Sequence, residues 1–231
     1  MKSSRDSLRI LTKDIVSCER CPRLRRYCAE VARVKRRAYR DEDYWGKPVP
    51  GFGDPQARLA IIGLAPGAHG ANRTGRIFTG DRSGDFLYRA LFENNFANQP
   101  ESRAIGDGLS LTDAYLTGPV RCAPPDNKPS PAEFARCRHY MERELDLLSR
   151  VRVVVVLGKL GNDAYLGMLK DRGVIESRAQ FPFGHGREHA IPKAPGLLGC
   201  YHPSQQNTST GRLTAAMLRD IFARAREIIE S

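Results

Sequence analysis

The sequence predicts an α/β fold, specifically a three-layer α/β/α sandwich with a central four-stranded parallel sheet. Four short apolar runs recur along the chain, each of the length and composition expected of a strand buried on both faces. A loop and a stretch with helical spacing of apolar residues follow each run. The 231 residues show no internal repeat and no shift of composition, which favours one domain over residues 1–231.

Two helices are expected before the first strand. Residues 7–16 carry apolar side chains at helical spacing and lead into Cys18. Residues 24–39 have similar spacing with a dense basic face, and the stretch 43–55 is loop-like because it is rich in Pro and Gly. The segment 1–50 therefore precedes the alternating part of the chain.

The alternating part supplies the sheet and the helices that cover it. We expect strands at 58–65, 114–120, 152–158 and 197–202, and helices at 83–96, 131–149, directly after the third strand, and at 214–229. The carboxyl ends of parallel strands meet at one edge of a sheet, where ligands bind. Three polar or Gly-rich loops, GLAPGAHG, VRCAPPDNKPSP and YHPSQQNTSTGR, follow strands at that edge. We therefore expect the functional site there.

The charge balance favours nucleic acid as a partner. The chain has 37 basic and 26 acidic residues, a formal charge of +11, and 29 of the basic residues are arginine. Guanidinium groups suit phosphate oxygens, although a solvated basic surface would give the same count. No apolar run reaches the length of a membrane span, and the start MKSSRDSLRI has no signal-peptide core. We expect a soluble, cytoplasmic monomer.

The six cysteines indicate metal binding or burial, because intracellular thiols stay reduced. The candidate ligands are Cys18, Cys21, Cys122 and Cys137. The first two form a C-x2-C pair, whereas the last two are widely spaced, so an iron-sulfur cluster fits better than a zinc ribbon. Zinc and scattered buried thiols remain alternatives. Cys28, on a predicted helix, is a reserve ligand, and Cys200, in a predicted strand, is expected to serve packing.

The stretch 63–84, GLAPGAHGANRTGRIFTGDRSG, contains six glycines. Glycine allows backbone amides to approach an anion or a flat base closely. The stretch is not a phosphate-binding P-loop, because no Gly-Lys-Ser/Thr follows, and it lacks the spacing of a dinucleotide fingerprint. By itself it is equally compatible with a structural turn.

Taken together, GLAPGAHGANRTGRIFTGD, the four candidate cysteines and YHPSQQNTSTGRLT resemble the uracil-DNA glycosylase superfamily, most closely its fifth family, the type B iron-sulfur enzymes. The resemblance runs from Cys18 to about Leu218. It implies a four-stranded parallel sheet between helices, a structural [4Fe-4S] cluster on Cys18, Cys21, Cys122 and Cys137, and excision of damaged bases from DNA.

The resemblance also implies roles for individual residues. His202 would donate a hydrogen bond to the base oxygen that becomes anionic, and Asp81 would position water and face the positively charged sugar. Phe78 would stack on the flipped base, and the amides of Gly67 and Ala68 would approach its polar edge.

Two positions depart from the pattern of the relatives. Ala65 stands where most relatives have a carboxylate or an amide, which leaves Asp81 as the nearest water-activating group. Gly118 stands where the related thermophilic family has an asparagine that reads uracil, so Asn127 is expected to supply part of that polar contact. A pocket without that asparagine should discriminate less sharply, and the resemblance to the type B enzymes implies action on deaminated purines such as hypoxanthine and xanthine as well as on uracil.

The remaining predicted contacts are with DNA. The candidates are Arg73, Arg76, Arg82, Gln205, Gln206, Asn207 and Arg212.

The two long motifs contain no lysine that could form a Schiff base, which predicts a monofunctional enzyme. The alternative is a non-enzymatic nucleic-acid-binding protein with a structural zinc or iron-sulfur site. A nuclease is disfavoured because the motifs lack paired metal-binding carboxylates.

Overall fold

The computed structural model describes residues 6–231 and shows an α/β fold around a mixed sheet. The strands are β1 (Phe52–Gly53), β2 (Leu59–Ile62), β3 (Ala114–Thr117), β4 (Val153–Leu157), β5 (Glu188–His189) and β6 (Gly196–Cys200). Their order across the sheet is β1-β3-β2-β4-β6-β5. The helices are α1 (Leu8–Val16), α2 (Pro22–Val34), α3 (Ala71–Thr74), α4 (Arg82–Glu93), α5 (Pro131–Leu147), α6 (Lys159–Asp171), α7 (Gln205–Ser209) and α8 (Ala215–Glu230).

The α/β class is confirmed, but the expected sheet of four parallel strands is incomplete. β3, β2, β4 and β6 pair in parallel, whereas β1 and β5 add antiparallel edges. Each edge strand has only two residues, too few to show a periodic pattern in the sequence. Their pairing depends on the neighbouring strand, so it becomes visible only in the folded chain.

The sheet is covered on both faces. Along β4, Val153, Val155 and Leu157 face a core that includes Leu87 of α4 and Phe222 of α8. Val154 and Val156 face the opposite core, which includes Tyr165 of α6. Strands buried on both faces need continuous apolar runs, which is why VVVVL carries no polar alternation.

Local signals explain where several helices begin. Pro131 opens α5, and Ser130 and Glu133 form a reciprocal cap, with the Ser130 Oγ accepting from the Glu133 amide at 3.3 Å and the Glu133 Oε2 accepting from the Ser130 amide at 2.8 Å. The Thr214 hydroxyl accepts from the Met217 amide at the start of α8.

The second helix is shorter than expected. It begins at Pro22, whose fixed φ suits a first helical position, and ends at Val34 because Lys35 adopts a φ of +57°. Residues 37–39 then form a separate 3-10 turn. The ring of Tyr39 in this turn lies under the Arg73 guanidinium at 3.9 Å, a tertiary contact that helical spacing cannot reveal.

The N-terminal helices cover the loop after β3 and the start of α5. Leu11 and Ile15 of α1 pack with Tyr140 of α5. Leu24 of α2 packs with Val120, after β3. Within residues 6–231, no helix combines the length and the apolar character needed to cross a membrane.

Candidate active site

The Gly-rich loop after β2 leaves the adjacent backbone donors of Gly67 and Ala68 free. The Gly67 carbonyl accepts from the amides of Gly70 at 3.3 Å and Asn72 at 3.0 Å, which turns the loop into α3. The amides of Gly67 and Ala68 donate to no protein group within residues 6–231. Two adjacent free N–H groups at the carboxyl edge of the sheet form a ready site for a carbonyl oxygen or an anion.

Asp81 lies against this loop. Its Oδ1 caps α4 by accepting from the Gly84 amide at 3.0 Å. A Cβ at Gly67 would come within 2.8 Å of the Asp81 Oδ2, and a Cβ at Gly70 would overlap it. Burial raises the pKa of Asp81 above its ordinary value of 3.8, against hydrogen bonds from the Gly84 and Ser83 amides that lower it. The two glycines therefore allow a desolvated carboxylate to contact the loop.

Phe78 occupies a left-handed backbone conformation with φ of +52°. An aromatic residue rarely adopts this conformation, and such strain is found mainly where the surroundings enforce it. The ring lies on the backbone of Gly63, where a Cβ would be 2.7 Å from the Phe78 Cε2. The sequence prediction of a stacking ring is thus given a definite place, at the end of β2.

His202 follows β6 and lies beside Phe78. The two rings have centroids 6.0 Å apart and planes inclined by 35°. The Cβ of His202 packs on Gly158, where an added Cβ would be 3.2 Å away. Burial lowers the pKa of His202 to about 4, so the imidazole is neutral at physiological pH. A neutral imidazole can donate one hydrogen bond without carrying charge.

Of the two positions that depart from the relatives, Ala65 lies in the loop after β2 and Gly118 lies against that loop. Gly118 is buried and lies behind the loop, where an added Cβ would be 3.4 Å from the Leu64 carbonyl oxygen. Ala65 packs with Ala68 against the cluster that contains Cys28 and Cys122. Asn127 is exposed at a 3-10 turn with φ of +56°, and it makes no hydrogen bond to the other predicted site residues in the described part of the chain.

The structure gives Arg73 an internal role. Its side chain is only 8% exposed and donates to the His69 carbonyl at 2.9 Å and the Gly80 carbonyl at 2.8 Å, with a salt bridge to Glu42. These contacts hold the ends of the loop 69–80 together. The phosphate contact expected for Arg73 does not fit this arrangement, because the side chain is buried and each of its three nitrogens already donates to a protein group.

Arg76 is also internal. It donates to the Asp107 carboxylate at 2.6 and 2.9 Å and to the Ser102 hydroxyl at 2.8 Å. Its side chain is 6% exposed, so a DNA phosphate cannot reach it without unfolding the contact with residues 102–107. The expected phosphate contact is replaced by a buried ion pair.

Other predicted DNA contacts are exposed and available. Arg82, Gln205, Gln206 and Arg212 are exposed, and the Arg212 guanidinium lies 4.7 Å above the Tyr201 ring. Asn207 differs, because its side-chain amide donates to the His202 carbonyl at 2.8 Å. Asn207 therefore holds the turn that carries His202.

Replacing Arg76 with alanine should affect the stability of the protein, whereas replacing Arg212 should affect its binding to DNA. Arg76→Ala should lower the free energy of unfolding by about 3 kcal/mol, because it leaves the Asp107 carboxylate without its ion-pair partner. Arg212→Ala should change stability by less than about 0.5 kcal/mol. It should instead weaken DNA binding and reduce the slope of log K against log salt by about 1. Urea unfolding measures the stability, and fluorescence anisotropy with labelled DNA at several salt concentrations measures the binding. A reduced salt slope with unchanged stability in Arg76→Ala would contradict the internal role of Arg76.

The four candidate cysteines lie in two adjoining apolar clusters. Cys21 and Cys122 belong to one cluster, and Cys137 belongs to the other, with Cys18 packed against it. Burial raises the pKa of Cys21, and the neighbouring Cys122 and Cys18 would raise it further if charged. Burial likewise raises the pKa of Cys137 to about 12, with contributions from Cys122 and Cys21. The four thiols are therefore electrostatic neighbours.

The four thiols are of the donor type that holds an iron-sulfur cluster. No three Cys, His, Asp or Glu side chains in residues 6–231 converge as ligands of a single metal ion do. Thiolates of an iron-sulfur cluster bind different irons and stand further apart than the four ligands of zinc. The Arg121 amide donates to the Cys137 Sγ at 3.3 Å, and the Arg121 Nε and Nη1 are buried without protein partners. Positive charge and unused donors beside the thiols suit an anionic cluster.

Several residues that shape the site were missed by sequence reasoning. Tyr44 reaches the loop and hydrogen-bonds His69 at 3.0 Å. Glu144 of α5 accepts from Arg121 and from the Gly51 amide, so it ties the cysteine region to the sheet edge. Both residues lie far along the chain from the motifs they support. The only signal for Gly158 was its position directly after an apolar run.

Comparison with known proteins agrees with this geometry. Residues 50–226 match a family model described as the uracil DNA glycosylase superfamily. The chain is 51% identical over 219 residues to a type-5 uracil-DNA glycosylase of Mycobacterium leprae, which covers 94% of each chain. It is 48% identical to the type-5 enzyme of Thermus thermophilus, over 93% of this chain and 94% of the relative. A type-4 uracil-DNA glycosylase of Archaeoglobus fulgidus is 28% identical over 86% of this chain and 82% of its own length.

These matches confirm the resemblance seen in the two long motifs. The match extends over nearly the whole chain, and the type-5 relatives are far more similar to it than the type-4 relative. The chain therefore belongs to the uracil-DNA glycosylase superfamily and, within it, to the type-5 family.

Proposed function

We propose that this protein is a monofunctional DNA glycosylase that hydrolyses the N-glycosidic bond of uracil, and of deaminated purines such as hypoxanthine and xanthine, in DNA. Two contacts carry the proposal: Asp81 lies against Gly67, whose amide is free like that of Ala68, and Phe78 lies on Gly63, at the start of the same loop, beside His202. Membership of the family supports it, since the relatives are named uracil-DNA glycosylases.

Each group then has a role in breaking the bond. The flipped base stacks on Phe78, and the free amides of Gly67 and Ala68 meet its polar edge. The bond between C1′ and the base nitrogen breaks with its electron pair leaving on the base, and the neutral His202 donates to the oxygen that becomes negative. A water oxygen forms the new bond to C1′ and passes its proton to Asp81, whose carboxylate stabilises the cationic sugar.

The wider substrate range has a physical basis at two positions. Gly118 and Ala65 present no amide or carboxylate to the base, so the pocket lacks side-chain donors or acceptors that would reject a purine edge. Recognition then depends on stacking and on backbone amides, which can donate a hydrogen bond to a carbonyl oxygen of uracil, hypoxanthine or xanthine alike.

The proposed cofactor is a [4Fe-4S] cluster held by Cys18, Cys21, Cys122 and Cys137. When bound, it would supply a structural cross-link between the N-terminal segment and the loop after β3. Ala65 and Ala68 pack against the cysteine cluster, and the Asn72 side-chain amide donates to the Cys28 carbonyl at 3.4 Å. The cysteine region thus supports the loop that carries the free amides.

Replacing Cys137 with serine should remove most of the iron. We expect iron to fall from about four atoms per chain to less than one, with loss of the visible thiolate-to-iron absorption. Iron content, the visible spectrum and thermal melting measure the effect. Cys200→Ser and Cys28→Ser should keep the iron, because both thiols lie outside the proposed ligand set. Loss of iron in Cys28→Ser would show that Cys28 is a ligand in place of one of the four proposed cysteines.

Single-turnover incubation with duplex DNA that holds one U opposite G, in EDTA, tests the function. Half of each sample is then treated with hot alkali. Cleavage at the uracil only after alkali is expected, and a panel with hypoxanthine or xanthine in place of uracil should give the same pattern. Nicking without alkali would contradict the monofunctional mechanism, a need for divalent metal would favour a nuclease, and binding without turnover would favour the non-enzymatic alternative.

A further inference from the structure

His69 lies in the middle of the Gly-rich loop but has no role in the mechanism above. Its neighbours Gly67 and Gly70 contact the Asp81 carboxylate, and its own carbonyl accepts from Arg73 at 2.9 Å. The backbone on both sides of His69 is therefore anchored. The imidazole is half-buried and belongs to the same loop as the free amides of Gly67 and Ala68.

Tyr44 determines which nitrogen of His69 carries the proton. The Tyr44 hydroxyl lies 3.0 Å from the His69 Nδ1, and its oxygen accepts from the Arg36 amide at 3.4 Å. The arrangement that satisfies all three groups has the hydroxyl donate its single proton to Nδ1. The proton of the neutral imidazole is then on Nε2.

The Nε2–H is available to a ligand. It has no partner within residues 6–231, and it is absent from the buried atoms that lack one, so solvent reaches it. Burial lowers the pKa of His69, and the positive charges of Arg36 and Arg73 lower it further, which keeps the ring neutral. A neutral N–H donor close to positive charges is suited to binding an anion, because the imidazole does not have to change its protonation state when the anion binds.

We propose that His69 is a positioning residue that donates its Nε2–H to a DNA phosphodiester beside the flipped nucleotide, with Tyr44 holding the ring in the required orientation. This inference rests on the glycosylase activity proposed above. The phosphate contact would hold the sugar of that nucleotide next to Asp81, whose carboxylate touches the same loop. His69 would then contact the phosphate of one nucleotide while Asp81 faces its sugar.

Methylphosphonate substitution locates such a contact. Duplexes with one U·G pair are prepared with a neutral methylphosphonate in place of each phosphate near the uridine, one at a time. With the wild-type protein in excess over DNA but below saturation, one of these positions should lower the single-turnover rate about 10- to 100-fold, as expected for a lost hydrogen bond to a charged group. The His69→Ala variant should excise uracil from the unmodified duplex at the same lowered rate, about 10- to 100-fold below that of the wild type. The methylphosphonate at that position should lower the rate of this variant little further.

Matched variants separate this role from a structural one. His69→Gln keeps an N–H near the place of Nε2 and should recover most of the rate, whereas His189→Ala, at the far edge of the sheet, should behave as wild type. Tyr44→Phe should lower the rate about threefold to tenfold, and should add nothing in the His69→Ala background if the two act as a unit. The 15N chemical shifts of His69 should report the Nε2–H tautomer in the free protein.

Equal methylphosphonate sensitivity in wild type and His69→Ala would overturn the proposal, as would an Nδ1–H tautomer. Failure of the wild type to excise any base would instead overturn the proposed function. In that case the affinities of both proteins for the same set of duplexes still decide whether His69 contacts a phosphate.

Discussion

Asp81→Asn is expected to lower the single-turnover rate of uracil excision by about 10²- to 10⁴-fold, the usual contribution of a positioned acid or base. The amide cannot take a proton from water or offset positive charge on the sugar. It can still accept from the Gly84 amide, because asparagine is as good an N-cap as aspartate. The measurement is alkali-dependent cleavage of the U·G duplex under enzyme excess.

The control for this variant is Asp85→Asn, in the first turn of the same helix, which should retain the wild-type rate. Stability at neutral pH should not fall in Asp81→Asn. Burial raises the pKa of Asp81, so ionisation disfavours the folded state as pH rises through that pKa, and the amide removes this cost. A rate within threefold of wild type would show that another group activates the water.

The pH dependence of the single-turnover rate also tests the assignment of Asp81 as the group that activates water. Because the pKa of Asp81 is raised above 3.8, the active carboxylate form is lost at a higher pH than for an ordinary aspartate. The acid limb of the single-turnover rate should therefore lie above pH 3.8 in the wild type and disappear in Asp81→Asn.

His202→Ala is expected to lower the rate by about 10²- to 10³-fold, as for loss of one preorganised donor to a developing anion. The ring also packs beside Phe78 and on Gly158, so thermal melting and iron content must match the wild type. A sharper readout uses 5-fluorouracil, which leaves more readily as an anion. The defect of His202→Ala should be smaller on 5-fluorouracil than on uracil, whereas the Asp81→Asn defect should be similar on both.

The donor is expected to be the neutral imidazole. Burial lowers the pKa of His202 to about 4, so the rate should show no inflection near pH 6.5, the ordinary range of histidine. A fall in rate as pH rises from 6 to 7 would show that the imidazolium is the active form. His202→Gln, which keeps a neutral donor, should retain part of the rate.

Much of the fold and the centre of the site could be predicted from the sequence. The runs at 59–62 and 153–157 are long enough and apolar enough to specify buried parallel strands without any other part of the chain. Phe78 and Asp81 lie in the connection that follows the first of these runs, and His202 directly follows the apolar run that forms β6, so the approach of these segments at one edge of the sheet follows from topology. The cysteine spacing favoured a cluster before any packing was known, and the cluster stays a prediction.

The functions of the arginines could not be predicted in this way. Arg73, Arg76 and Arg212 lie in similar polar, Gly-rich surroundings in the sequence, and all three appeared suited to phosphate. Arg73 and Arg76 are instead used by Glu42 and Asp107, which lie 31 residues away along the chain in each case. Whether a guanidinium is free depends on what folds against it.

The sequence by itself determined the class of fold and the family, because each depends on local apolar runs or on contiguous motifs. The same motifs singled out Phe78, Asp81 and His202, whose roles at the reacting bond are proposed. The tertiary structure alone decided the antiparallel edges, the internal roles of Arg73, Arg76 and Asn207, and the pairing of Tyr44 with His69. These features depend on contacts between distant segments, and the free energy of such a contact exists only after the chain has brought both partners together and removed them from water.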